Sequence, residues 1–365
     1  MEQDISQASI MVIITGLLVG IMLGFVLQRG RYCMNSAFRD VIFVNDMTLF
    51  RAWLLALVVA IIGANLMEDL GFLGDGGLRR QAFTPIAAIV GGYLFGLGIV
   101  IAGGCGTGVL YKQGEGQLAT LVATFGFVLT LLATIHGPLK PINQLLRQFK
   151  VSLGEGEDAI SSLALWDILG GANMKWIVIA IICAIFIFIV VKGKPFGKMP
   201  KKGWLWSLTG LLLGLVVVFA WWASYYFGGQ ARGVSAAGPT AEAALMITIG
   251  NSMARNDPMF DFWGIFIGSW SALYVIGIPL GSYISAKGLN EFKLTIPRDA
   301  NEVLRVFLGG MVMGFGAGVA GGCTVGHSLT GVSALSLQSI LATIFIILGN
   351  WTMTYFMFIK PMQDE

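Results

Sequence analysis

Two short stretches carry the residues best suited to chemistry: "GGCGTG" at 103–108 and "GGCTVG" at 321–326. Each sets a thiol directly after a pair of glycines, and the two cysteines, Cys105 and Cys323, lie 218 residues apart. Two further stretches share the small-residue character. "RGRYCMNSAFRD" (29–40) holds Cys33, and "ARGVSAAGPTAEAA" (231–244) holds Ser235 in a comparable place, with Arg232 three residues before it. Small residues permit tight turns, and a helix that starts just after such a turn exposes unsatisfied N–H groups with partial positive charge. A helix start therefore gathers anions without a fixed lysine, and a thiol placed there is a soft, weak hydrogen-bonding group facing the anion. Thiols suit an anion with a terminal sulfur better than a hard oxyanion such as phosphate. Gly104, Gly106 and Gly322 flank the cysteines and let backbone approach the path. His327, four residues beyond Cys323, lies one helical turn on and is in reach of a passing anion. The fourth cysteine, Cys183 in "IICAIF", reads as a small buried hydrophobe. With no CxxC pair and no His at ligand spacing, the chain offers neither a zinc site nor a disulfide framework.

The elements that must position these residues are membrane spans. Hydrophobic residues make up 56% and charged residues 12% of the chain, against roughly 25% charged in soluble proteins. Mean hydropathy is +0.79. There are 50 glycines, which in a membrane protein signal close helix packing rather than disorder. The net charge of +3 gives no basis for a nucleic-acid partner. The glycine spacing does not make a dinucleotide fingerprint either, since that motif needs a strand, a turn and a helix in a soluble sheet. The sequence predicts nine spans of about 20 residues, at 9–28, 51–70, 85–103, 117–136, 174–192, 204–228, 262–285, 303–321 and 337–358. The first lacks a basic leader and a small-residue cleavage site, so it reads as a retained span. Placing the basic stretch "VKGKPFGKMPKK" (192–203) in the cytoplasm puts 15 of the 23 Lys and Arg residues on that side and the N-terminus outside, with the C-terminus inside. The connection 137–173, with "GEGED", reads as an aqueous loop.

The chain also repeats. "GGYLFGLGIVIAGGC" (91–105) aligns on "GGMVMGFGAGVAGGC" (309–323) with eight identities in fifteen, and "GLLVGIMLGF" (16–25) on "GLLLGLVVVF" (210–219) with five in ten. Spans 1–4 thus return as spans 6–9, in a first repeat over 1–137 and a second over 204–365. The linking segment 138–203 holds the external loop, span 5 and the basic loop. Five spans separate equivalent helices, so the halves run in opposite directions, as in transporters whose site lies near the midplane. Each half then sends in two re-entrant loops, each followed by a short helix. Irregular backbone at that depth is tolerated only where it is buried in protein or lines a cavity.

"LQRGRYCMNSAFRD", "GGYLFGLGIVIAGGCGTG" with "YKQGEG", and "GGMVMGFGAGVAGGC" resemble the YeeE/YedE family of bacterial sulfur-transport membrane proteins over nearly the whole chain. The resemblance implies an all-α polytopic protein of the inner membrane, hourglass-shaped, with nine spanning helices plus short re-entrant ones. It implies import of thiosulfate past Cys33, Cys105 and Cys323, and a small TusA-like sulfurtransferase as cytoplasmic partner. Some branches of the family are associated with selenium metabolism, so other sulfur or selenium compounds stand as alternative substrates. Two other classes are open: a membrane-embedded sulfurtransferase that forms a cysteine persulfide, and an accessory subunit with no pathway of its own. The reading preferred is a transporter without cofactor or metal and not an enzyme. Ser235, Gly104, Gly106, Gly322, His327 and Arg232 join the cysteines along its path. Arg29, Arg31 and Arg39 either draw an anion or merely obey the charge rule, while Glu115 and Glu242 read as braces and His136 as an interfacial residue.

Overall fold

The computed structural model describes residues 2–74, 76–154, 161–197, 203–249, 260–262, 265–267, 269–297 and 299–364. Arg298, most of "GEGED" and three lysines of the basic loop (Lys198, Lys201, Lys202) lie outside them. The first half runs α1 (Glu2–Arg29), α2 (Met34–Phe43), α3 (Thr48–Asp69), α4 (Pro85–Ile101), α5 (Gly106–Gly114) and α6 (Leu118–Ile135). Two short helices, α7 (Lys140–Leu146) and α8 (Leu165–Leu169), lead to α9 (Lys175–Val191). The second half runs α10 (Trp206–Tyr226), α11 (Ala237–Ile249), α12 (Trp270–Gly288), α13 (Ala300–Ala320), a π-helical turn at Gly326–Gly331, α14 (Leu337–Thr354) and the terminal α15 (Lys360–Asp364).

Among the described residues, seven segments are long and apolar enough to cross a membrane: Ile10–Phe43, Thr48–Asp69, Pro85–Gly114, Leu118–Ile135, Trp206–Tyr226, Ala300–Ala320 and Leu337–Gln363. The other two predicted spans fall on α9 and α12. Helix α9 is apolar but only 17 residues long. Helix α12 carries Ser271, Ser282, Ser285, Pro279 and Lys287, and it tolerates the hydroxyls because they are buried against neighbouring helices. The start of that seventh predicted span is also corrected. Phe260–Phe262 pairs antiparallel with Ile265–Ile267, a small exception to the all-helical expectation, and the helix begins only at Trp270. Ser269 fixes that start, its hydroxyl accepting the Ala272 N–H as an N-cap.

Glycine accounts for the closeness of the helices. A Cβ at Gly20 or Gly24 of α1 would strike the carbonyls of Tyr274 and Ile278 on α12, and one at Gly277 or Gly281 of α12 would meet Leu17 and Ile21 in return. The same holds where Gly309 and Gly316 of α13 meet α4, and where Gly310 and Gly314 meet α6. Lipid offers no hydrophobic drive between helices, so backbone-to-backbone packing of this kind supplies the contact energy. Side chains such as Phe125 on α6, Ile181 and Phe188 on α9, and Leu304 and Leu308 on α13 are exposed. They form the apolar surface that a bilayer would cover.

The packing has a twofold pattern. Helix α1 packs on α12 and α10 on α3; α4 packs on α14 and α13 on α6; α1 meets α10 and α4 meets α13. Exchanging α1, α3, α4 and α6 for α10, α12, α13 and α14 returns the same list. The short elements obey it too. Helix α2 lies on α3 and α14 as α11 lies on α12 and α6, and α5 lies on α12 and α6 as the π-helical turn lies on α3 and α14. These short elements all start in the glycine-rich stretches and meet in the interior, where the candidate site lies.

Candidate functional site

Cys33, Cys105 and Cys323 each stand where a short helical segment begins. Cys33 is the extended residue before α2, and Cys105 the extended residue before α5. The Cys105 sulfur accepts the N–H of Gly108 at 3.3 Å, and the Cys323 sulfur accepts the N–H of Gly326 at 3.4 Å. The two Gly-Gly-Cys copies therefore make the same cap at the same spacing. Both also turn on a left-handed glycine, Gly103 at φ 74° and Gly321 at φ 87°, a conformation that a side chain would disfavour. The carbonyl of Gly103 accepts Lys112 Nζ at 2.7 Å, and that of Gly321 accepts Gln81 Nε2 at 2.9 Å.

The four loops converge. A Cβ on Gly108 would lie 3.1 Å from the Cys33 sulfur and 3.2 Å from that of Cys105, so the two thiols flank one glycine. All four cysteines are free and buried. On the other side, the Cys323 sulfur accepts the Ala236 N–H at 3.1 Å and sits 3.8 Å from Ser235 Oγ. Gly106 joins the two pairs: a Cβ there would lie 3.3 Å from Ala236 Cβ and 3.5 Å from Cys323 Cβ. Cys33 and Cys105 thus form one pair, Ser235 and Cys323 the other, with glycine between them. Gly104 packs beside Val109, and Gly322 lies under the His327 ring. His327 is fully buried, with Nδ1 3.1 Å from Ser339 Oγ. Cys183 lies apart on α9, Arg39 pairs with Asp40, and His136 caps α6 at the surface.

Buried polar atoms without a hydrogen-bond partner among the described residues cluster around these loops: Thr107 Oγ1, Thr324 Oγ1, Tyr274 Oη and His327 Nε2. Each such orphan costs about 1–3 kcal/mol, so the surroundings suit a polar guest. The π-helical turn after Cys323 frees carbonyls that an α-helix would use. Two from this region are taken up across the interface, Ser328 O by Trp53 Nε1 and Ser333 O by Asn65 Nδ2, both at 2.9 Å, as buried backbone requires.

A cavity of ≈ 250 Å³ opens against the second pair, its wall including Arg79, Gln81, Arg232, Ser235, Tyr274, Gly322, Gly326 and Ser339. Gln230 Oε1 accepts from Arg79 at 3.5 Å and from Arg232 at 3.3 Å, drawing two guanidinium groups to one side of the mouth. Glu242 braces Arg232 at 3.0 Å and accepts the Ser269 hydroxyl at 2.7 Å. The Arg79–Gln81 stretch is held by its neighbour: Arg80 makes two 2.9 Å bonds to Glu68, and Lys175 on α9 adds a third contact at 2.8 Å. Arg147, beyond α7, reaches Gly321. On the opposite face Arg31 pairs with Glu291, and Lys112 lies near the first thiol pair. Burial there pushes the Glu115 carboxyl above its ordinary range.

Sequence reasoning found the cysteines, Ser235 and Arg232 but not Arg79, Gln81, Arg147, Gln230 or Tyr274. Arg79 and Gln81 carry no local signal beyond charge and polarity, because Gln81 meets its partner 240 residues away. Tyr274 reads as one more aromatic residue in a span.

The family model described as "Sulphur transport" matches residues 29–352. The chain is 35% identical over 348 residues to "Thiosulfate transporter TsuA" of Spirochaeta thermophila, covering 94% of this chain and 98% of that one. It is 32% identical over 368 residues to the protein of the same name from Escherichia coli K12, covering 96% of each. "Probable transporter YedE" of Escherichia coli K12 matches at 28% over 165 residues, 45% of this chain and 37% of that one. The chain belongs to the sulphur-transport (YeeE/YedE) family, whose relatives here are named as transporters rather than enzymes.

Proposed function

We propose that this member of the sulphur-transport family imports thiosulfate through the bacterial inner membrane, handing it from the Cys323–Ser235 pair to the Cys105–Cys33 pair by hydrogen bonds. The observation that carries the reading is the convergence of two thiol-bearing helix starts across Gly106, with an arginine-lined cavity against one of them. The names of the full-length relatives support the substrate.

The steps follow from the donors available. The dianion collects beside Arg79 and Arg232, where Gln230 and Glu242 hold the guanidinium groups. It sheds water among Ser235, Gly322 and Gly326 and meets the Cys323 thiol, with the Ala236 and Gly326 amides at hand. Gly106 leaves room for transfer to Cys105 and Cys33. Each contact is weak and the contacts are several, which suits passage because a site on a path must release as well as bind. Lys112 and Arg31 then stand at the exit.

Nine spans, two halves of inverted topology with re-entrant short helices, an outer N-terminus and an inner C-terminus belong to the same proposal. The twofold packing supports it, as does the way the loops sort. Arg79, Arg147, Arg232 and Gly321 gather on one face, while Gln28, Arg31, Lys112, Glu115 and Glu291 gather on the other. A dianion entering an inside-negative cell climbs roughly 4.6 kcal/mol per 100 mV. Consumption by a TusA-like cytoplasmic sulfurtransferase, or coupling to a cation, supplies the pull. The test is sulfur-35 thiosulfate uptake into vesicles holding the purified protein. Saturable uptake that excess sulfate does not compete away is the expected result; none above empty vesicles overturns the proposal.

A further inference from the structure

We propose that Tyr274 determines specificity at the outer pair, its hydroxyl donating a hydrogen bond to the oxygen end of the sulfur oxyanion held against Cys323 and Ser235. This rests on the transport reading above and adds a residue to it.

Tyr274 is fully buried yet lines the arginine-rich cavity. Among the described residues its O–H finds no acceptor; the Ser235 N–H beside it can only donate, and Cys323 is close by. A phenol that finds no partner when buried is unusual, because Tyr hydroxyls ordinarily find one. The ring cannot swing away to find one. It stacks on Trp270 with centroids 5.9 Å apart and planes 2° from parallel, and Trp270 is tied to α1 through Thr15 at 3.3 Å. The Tyr274 carbonyl is pressed against Gly20, where not even a Cβ fits. The ring is thus held in the cavity wall, its hydroxyl beside Cys323 and Ser235.

Chemistry selects the guest. A neutral phenol is a hard O–H donor without a charge of its own, matched to a sulfonate-type oxygen, whereas a thiol is matched to a terminal sulfur. Ser235 Oγ and Tyr274 Oη put two hard donors at the outer pair. At the inner pair both positions are thiols, and the nearby Tyr32 hydroxyl is already committed to Met34 Sδ at 2.8 Å. An anion with oxygens at one end and sulfur at the other is therefore met oxygen-first by the outer cup's hydroxyls, and its sulfur is left to the thiols.

Tyr274→Phe removes the hydroxyl and keeps the ring. In vesicles, the thiosulfate concentration for half-maximal uptake should rise about tenfold, the worth of one hydrogen bond to an anion, while the maximal rate stays within about twofold by the logic of a lost ground-state contact. The variant's thermal midpoint without thiosulfate should equal or exceed that of the wild type, since an orphan hydroxyl is gone, and added thiosulfate should raise it less. An unchanged half-saturating concentration, with wild-type uptake intact, overturns this inference and leaves the transport reading standing. A lowered midpoint without substrate makes the hydroxyl structural and overturns the inference as well. Absence of uptake by the wild type overturns both.

Discussion

The Cys105–Cys33 pair, inner in the proposed orientation, and the Cys323–Ser235 pair, outer in it, share a backbone and differ in chemistry. In both, a cysteine after two glycines caps a short segment and accepts an N–H three residues on, at 3.3 and 3.4 Å. The inner cysteine faces a second thiol, Cys33; the outer one faces Ser235, Tyr274 and a cavity edged by arginines. The surroundings follow the same division. Arg79, Arg147 and Arg232 gather beside the Cys323–Ser235 pair, Arg232 bonded to Glu242, while on the Cys105–Cys33 side Arg31 is paired with Glu291. A twofold arrangement of helices fixes where the loops meet, and side chains alone then set hydroxyls and arginines about the Cys323–Ser235 pair and a second thiol at the Cys105–Cys33 pair. A dianion needs charge and oxygen donors while it sheds water, and sulfur donors once it has.

The comparison is tested hardest by removing the shared element. Cys105→Ala or Cys323→Ala should each reduce thiosulfate uptake about a hundredfold, the upper range for a lost hydrogen bond to a charged group, with protein reaching the membrane normally. The inner pair alone is addressed by Gly108→Ala, whose Cβ would sit 3.1 and 3.2 Å from the two sulfurs. Crowding at that distance parts the thiols, and uptake should fall about tenfold. Gly106→Ala, with contacts of 3.3 and 3.5 Å, should cost only about threefold by the same argument. Ser235→Cys makes the outer pair resemble the inner one. Uptake should change by less than about threefold because a thiol still donates, although weakly. Cys183→Ala, on α9 away from both pairs, should leave uptake unchanged. A Ser235→Cys variant as impaired as Cys323→Ala would erase the distinction between the ends.

Much of this was legible in sequence because it is local or periodic. The register of Gly-Gly-Cys foretold the two matching turns, since a left-handed glycine and a cap need only neighbouring residues. Apolar runs located the nine long helices of the described residues, most ends to within a few residues; the exceptions are α1, which starts at Glu2, and α12, which starts at the Ser269 cap after the paired Phe260–Phe262 and Ile265–Ile267. The short helices after Cys33 and Cys105 follow from the same glycine breaks. What escaped is long-range. Lys175 reaching Glu68, Gln81 reaching Gly321 and Gln230 accepting from Arg79 join residues 107, 240 and 151 positions apart. A loop arginine in sequence is only a topology signal. The π-helical turn at Gly326–Gly331 leaves no composition cue; its Ser328 carbonyl accepts a hydrogen bond from Trp53 of α3, 275 residues away.

The most direct test of a path through both pairs is a side-by-side uptake measurement. Purified wild type, Cys105→Ala and Cys323→Ala, in vesicles at matched protein content, are given sulfur-35 thiosulfate under an imposed inside-positive potential. The account predicts saturable accumulation by wild type and near-background signal in both variants. Accumulation that survives both substitutions would reduce the twin turns to packing and contradict passage along the thiols.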